Sequence, residues 1–203
     1  MASPAPLPLA ALRARLRALE RPHASAVPAL PLFAEIDAAL PGGGLALGCL
    51  HQLIGADAAA TGLAALIAGR LAARLERPAL WLPAAKDLYP PGLAEWGLPP
   101  RRLLIAETAG QADRLWAMEE ALRCPDLACV VGELAGLDLI AGRRLQLAAE
   151  AGGVTGLALH PQRSTAANAG TTRWRVAARP GGLWRLTLER CRGGMPGDWE
   201  VRP

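Results

Sequence analysis

Cysteine and histidine are sparse and scattered in this chain. Cys49, Cys124, Cys129 and Cys191 stand singly, and the closest pair is five residues apart with no histidine nearby. Such spacing does not make a zinc site and predicts reduced cysteines that act as small apolar fillers. His23, His51 and His160 are equally dispersed, so no catalytic triad or metal cluster is expected. Uninterrupted apolar runs of about eighteen residues, the length a membrane span needs, are also missing. The opening "MASPAPLPLAALRARLRALERP" has arginines within its apolar part and prolines at 4, 6 and 8. These features exclude a signal h-region, and a cytoplasmic location without a membrane is expected. Lysine occurs once, as Lys86.

The charge is distributed unevenly. Residues 1–30 carry four arginines against Glu20, and residues 171–203 carry seven arginines against three acids. The middle of the chain is net acidic, so the whole basic excess lies at the two ends. Basic arms of this kind suit an acidic partner or nucleic acid, or form solvated surface.

The 203 residues suffice for one well-buried domain with an arm to spare. Residues 1–30 read as an arm: an amphipathic helix with Leu9, Leu12, Leu16 and Leu19 on one face, then a proline-rich linker. Residues 31–190 read as the domain, and 191–203 as a tail. "FAEIDAALPGGGL" predicts a short helix and a glycine turn, and "LALGCLHQLIG" a buried strand. Helices are expected in "AAATGLAALIAGRLAARLE", "QADRLWAMEEALR" and "LDLIAGRRLQLAAEAGG", with a short one in "LYPPGLAEWGL". Strands are expected in "ALWLP", "RLLIAE", "LACVVGEL" and "VTGLALH". "TRWRVAAR" and "LWRLTLER" alternate like an antiparallel pair around Pro-Gly-Gly. Alternation of this kind indicates an α/β domain, a mainly parallel sheet flanked by helices with an antiparallel C-terminal extension.

"LIGADAAATGL", residues 53–63, stands where strand gives way to helix. A phosphate-binding loop in that place reads G-x-x-x-x-G-K-[ST], with a glycine for converging N–H groups, a lysine for the outer phosphates and a hydroxyl for magnesium. Counting from Gly55, the second glycine is Ala60, the lysine Thr61 and the hydroxyl residue Gly62. Asp57 adds a charge that opposes a triphosphate. Lys86, beside Asp87, is the only lysine that could reach over, and Glu133 the carboxylate that could substitute at magnesium. The frame of a nucleotide site is present without its chemistry. No ATPase activity, cofactor or metal is expected.

"FAEIDAALPGGGLALGCLHQLIGADAAATGLAAL" resembles the opening of the RecA recombinase core, and "LACVVGEL" resembles its magnesium-binding strand. In that comparison RecA's catalytic glutamate falls near Ala85. More specifically, "LYPPGLAEWGL", "ADRLWAMEEALR", "LDLIAGRRLQLAAE" and "TTRWRVA" are together similar to the ImuA family, RecA-like proteins associated with the SOS response and sometimes described as SulA-like. The resemblance spans roughly residues 30–190. It implies a noncatalytic accessory protein of damage-tolerant DNA synthesis, working with ImuB, a Y-family polymerase relative, and with an error-prone replicative-type DNA polymerase. A SulA-type cell-division inhibitor binding FtsZ is the alternative.

Among the remaining residues, Ala112, Leu115, Trp116 and Leu122 suit the buried face of a helix. Glu119 and Glu120 are about 100° apart on it, a poor acid/base pair, and pairing with Arg123 is expected. Candidate contacts to a partner or DNA are Arg143 and Arg144 on a helix, and Arg173, Arg175 and Arg179 on one side of a strand, with Trp174 and Val176 on the other. "PQRSTAANAG", at the place of RecA's second DNA-binding loop, holds Arg163 and no aromatic for base stacking. Weak, nonspecific DNA contact is therefore an expectation, as is self-association through the N-terminal helix.

Overall fold

The computed structural model describes residues 28–55, 58–160 and 170–203. The amphipathic N-terminal helix and most of the "PQRSTAANAG" loop lie outside the described residues, as do Ala56 and Asp57.

The chain enters as β1 (Ala29–Leu30), then α1 (Ala34–Asp37), β2 (Leu45–Ala46), β3 (Leu50–Ile54) and α2 (Ala58–Leu75). There follow β4 (Ala79–Leu82), α3 (Pro90–Ala94), β5 (Leu103–Ile105), α4 (Gln111–Leu122), β6 (Cys129–Glu133) and α5 (Leu139–Gly152). The chain closes with β7 (Thr155–His160), β8 (Thr172–Arg179), β9 (Leu183–Cys191) and β10 (Gly197–Val201). Eight strands form one sheet in the order β10-β9-β8-β3-β7-β6-β4-β5. The six from β8 to β5 run parallel, and β9 and β10 join antiparallel at the β8 side. The expected α/β architecture is the observed one.

Two differences stand out. The single strand expected over "LALGCLHQLI" is two, because Gly48 has φ +65° and turns the chain between them. Its N–H donates to Thr155 Oγ1 at 3.1 Å, and β2 is left to pair with β1 in a sheet of its own. The segment read as a tail, 191–203, holds β10, the outermost strand of the main sheet. Its alternating burial hid it in the sequence, since Asp198 and Glu200 point to the open face.

Local chemistry explains the element ends. α5 begins at Asp138, whose side chain accepts from Ala141 N–H at 2.7 Å, and ends at Gly153 in the left-handed region. Pro90 and Pro91 open α3, where missing N–H groups cost nothing. The entering segment is pinned to α2 by Arg70, which donates to the carbonyls of Pro31 and Leu32 at 2.8 and 2.7 Å.

Each face of the sheet has its own core. On one, α2 packs Leu63, Ile67 and Leu71 with α1 Ile36 and the sheet residues Leu53, Trp81, Trp174 and Leu186. α2 is long and apolar enough to cross a membrane, yet 67% of it is buried here, as befits a core helix. On the other, α4 and α5 bring Met118, Leu122 and Leu145 against Leu50, Val130 and Ala158. The antiparallel half of that second face presents charged side chains instead.

Candidate functional site

The loop after β3 is where the sequence placed the frame of a phosphate site. Gly55 donates its N–H to His160 O at 3.0 Å, tying β3 to β7. A Cβ on Gly55 would lie 2.7 Å from both the Ala60 Cβ and the Val176 carbonyl. Glycine is therefore required there by packing. Ala59 and Ala60 are 3% and 1% exposed, so the first turn of α2 is closed over by apolar contact. Thr61, at the lysine position, is half-buried.

Gly62, at the hydroxyl position, is more telling. A Cβ there would meet the Trp184 ring at 2.8 Å and the Trp96 ring at 3.3 Å. Those two indoles stack on each other with centroids 4.7 Å apart, tilted by 41°. Two large rings from distant segments thus occupy the space into which a serine or threonine would project. The bare glycine at 62 and the two tryptophans over it therefore fit only together.

The substitutes considered for magnesium and lysine are engaged elsewhere. Glu133 accepts from Trp81 Nε1–H and from Ala84 N–H, each at 2.8 Å, so both carboxylate oxygens serve the end of β4. Lys86 pairs with Glu107 at 2.7 Å, and both side chains are exposed. Its charge is stabilised by that carboxylate, which raises the ammonium pKa above the ordinary lysine value. Asp87, expected as its neighbour, is not its partner in the structure. Ala85 lies in the exposed turn beyond β4.

The turn is fastened by a residue the sequence reading passed over. Arg114 is 6% exposed, with Nε donating to Pro83 O at 2.9 Å and Nη1 to Glu133 O at 3.2 Å. Its spacing from Met118 and Leu122, four and eight residues on, is the signal that could have found it. α4 is in fact rotated from the expected face. Arg114, Met118, Glu119 and Leu122 are buried, whereas Ala112 is exposed and Trp116 is 63% exposed. The physical reason is that the arginine finds carbonyl acceptors at the strand ends, so its long side chain is stabilised inside.

Glu119 and Glu120 both bind Arg123, at 2.7 and 2.9 Å, as expected. Glu119 also pairs with Arg144 of α5. The hydrogen bond from Arg123 outweighs burial, and with Arg144 it holds the Glu119 carboxyl below the ordinary carboxylate range. Arg144 is thereby a link between α4 and α5, and Arg143 beside it is exposed.

The three strand arginines share one face of β8, as their alternation requires, with Trp174 and Val176 buried on the other. Their charge is answered by acids of the neighbouring strands. Glu189 of β9 takes Arg173 Nε at 3.2 Å and Arg175 Nε at 3.1 Å. Arg179 stands 3.9 Å from Glu200 of β10. Arg185 donates to Asp198 at 2.9 Å, completing a ladder of ion pairs. The strip expected to be basic is thus mixed in sign, and Arg173 is only 7% exposed. Arg143 and Arg144 stand on α5, whereas Arg175 is paired in register with Ile54 at the end of β3, next to Gly55.

α4 and α5 also carry exposed apolar side chains. Trp116 at 63%, Ile140 at 75%, Leu139 at 53% and Leu147 at 47% exposure lie on two helices that pack together. The β5 edge adds Leu104 and Ile105, 48% and 43% exposed.

Comparison with known proteins bears on what such a molecule does. Protein ImuA from each of two strains of Caulobacter vibrioides is 38% identical to this chain over 193 residues, covering 81% of this chain and 79% of the relative. No family model matches the chain.

Proposed function

The chain belongs to the ImuA family of SOS-mutagenesis accessory proteins, and on that premise we propose that it is a noncatalytic scaffold of a translesion-synthesis complex. Its work in this reading is protein–protein contact with an ImuB-type Y-family polymerase relative in the cytoplasm. Through that relative it reaches an error-prone replicative-type DNA polymerase. The observation that carries the reading is the apolar filling of the nucleotide frame: Trp96 and Trp184 stand over Gly62. An anion there would meet two indoles, no lysine, and a carboxylate already bonded to Trp81 and Ala84. The apolar side chains exposed on α4 and α5 support a docking role, since such residues in a group mark interaction surfaces. Direct DNA contact plays at most a minor part, because the β8 arginines face Glu189 and Glu200.

The test is co-purification of the tagged chain with the polymerase relative or with FtsZ, with and without ATP. Capture of the polymerase relative independently of ATP is expected, and an Ile140→Asp, Trp116→Asp variant should lose it while keeping its fold. Capture of FtsZ alone would transfer the protein to the division-inhibitor class. Capture that requires ATP would overturn the noncatalytic reading.

A further inference from the structure

A cavity of about 630 Å³ opens at the amino ends of β3 and β8, the opposite end of these strands from the loop before α2. Its volume is in the range that small ligands fill. The exposed turn residues Pro41, Gly42, Arg192 and Gly193 contribute to its lining, so it communicates with solvent. Cys49 lies in its wall, with Sγ 3.4 Å from Nε2 of the fully buried His51.

The histidine is oriented by its other contacts. Thr172 Oγ1 accepts from Trp174 Nε1–H at 2.8 Å and lies 2.7 Å from His51 Nδ1. The Ala46 carbonyl beside Nε2 can only accept, so in the neutral ring the proton resides on Nε2 and the threonine hydroxyl donates to Nδ1. From Nε2 the ring proton is shared between Ala46 O, at 2.8 Å, and the Cys49 sulfur. Cys49 is 6% exposed, and at the cavity wall its sulfur meets this fixed N–H donor and, at 3.5 Å, the Ala46 carbonyl.

The electrostatics agree with this geometry. Burial pushes the Cys49 thiol up, but the His51 charge and hydrogen bond, with help from Thr171, outweigh it and hold the thiol below its ordinary value. Burial lowers His51 in turn, and Cys49 and the Ala46 carbonyl raise it above the usual imidazole value. Glu150 of α5 opposes thiolate formation, yet its carboxylate is bonded by Gln146 at 2.7 Å and by Arg192 at 3.4 Å. The other cysteines differ: burial alone drives Cys129 up to about 12, and burial, reinforced by the Cys49 charge against a backbone hydrogen bond at Gly194, raises Cys191 on the same cavity wall.

We propose that Cys49 is a reactive thiol, positioned by His51, and that this cavity admits hydrogen peroxide to it. The thiol releases its proton to solvent, and the Nε2–H bond steadies the thiolate. The sulfur attacks one peroxide oxygen; the S–O bond forms, the O–O bond breaks, and hydroxide leaves with the electron pair to be protonated by solvent. Sulfur is oxidised to the sulfenic acid and the peroxide is reduced to water. The proposal stands independently of the scaffold reading, because nothing in it involves the polymerase partner.

The full chain carries its own controls: Cys124 is exposed, and Cys129 is buried like Cys49 but stands outside the cavity wall. Iodoacetamide labelling followed by peptide mass spectrometry at pH 6.5 should modify Cys49 at least about fivefold faster than Cys124. Hydrogen peroxide with a sulfenate trap should mark Cys49 first. His51→Gln, checked by circular dichroism, should shift the Cys49 labelling midpoint upward. Slower labelling of Cys49 than of Cys124 from pH 6 to 9, or peroxide marking Cys124 in its place, would overturn the proposal. If His51→Gln does not fold, the wild-type comparison of Cys49 with Cys124 still decides.

Discussion

At the scale of single residues, the loop after β3 keeps a strand–loop–helix order while Ala60, Thr61 and Gly62 stand where a phosphate-binding loop has glycine, lysine and a hydroxyl. Thr61→Lys restores the point charge on a half-buried position and should change stability by less than about 0.5 kcal/mol. Gly62→Thr restores the hydroxyl but drives a Cβ into the Trp184 ring, 2.8 Å away. Overpacking of this kind costs about 1–3 kcal/mol, read from urea unfolding. Neither variant should bind ATP: calorimetry with magnesium at roughly 100 μM protein should show no heat, a Kd weaker than about 1 mM. Micromolar binding by Thr61→Lys would mean that the indoles yield to phosphate. His160 supplies a pH test. Its Nδ1–H donates to Leu134 O at 2.9 Å, and burial, reinforced by the Arg173 charge, lowers its pKa below the ordinary value despite that bond. The unfolded chain binds a proton here below about pH 6.5 while the folded chain does not. This residue's contribution is therefore lost as pH falls below about 6.5. His160→Gln should flatten the acid-side fall in stability measured between about pH 5 and 6.5, and an unchanged slope would show that His160 titrates normally.

At the scale of elements, α4 is the instructive case. A reader of "QADRLWAMEEALR" assigns the tryptophan to the core and the arginine to water, because transfer free energies rank them that way. The fold reverses both, since Arg114 meets the Pro83 and Glu133 carbonyls and Met118 fills the space beneath Gly132. Met118→Ala should cost about 2–5 kcal/mol, whereas Trp116→Ala should stay within about 0.5 kcal/mol. Equal losses in a denaturant series would restore the face expected from the sequence. The strands of the parallel half were legible because burial on both sides demands continuous apolar runs, as in "LACVVGEL" and "VTGLALH". β2 and β3 were not separable, because Gly48 looks like any strand glycine until its positive φ is known. The departure of this loop from a phosphate-binding sequence was legible from Ala60, Thr61 and Gly62. What fills it was not, because Trp96 and Trp184 are brought there only by the tertiary fold.

At the scale of the whole molecule, the antiparallel extension completes the α2 core as well as widening the sheet. β10 contributes Val201, 6% exposed, and Trp199, whose ring lies 6.2 Å from that of Trp174. Trp174 in turn donates to Thr172, so the last strand and the first parallel strand are joined through one ring. Asp198 marks the outer rung: hydrogen bonds from Arg185 and Thr187 hold its carboxyl at about 2. The sequence concealed this strand because "GDWEV" is short, carries two acids, and gains its pairing from Arg185 and Thr187 on the preceding strand. Ending the chain at Met195 would strip Val201 and Trp199 from the core, a loss of roughly 2–3 kcal/mol in burial. For a chain of this size that corresponds to a fall in Tm of roughly 5–10 °C. It also leaves the long β9 edge unpaired, and an open edge templates association. Thermal melts and light scattering should therefore show a lower Tm together with growth in particle size. A truncated chain that melts like the full one and stays the same size would mean that β10 does not hold its place in solution. The sheet would then end at β9.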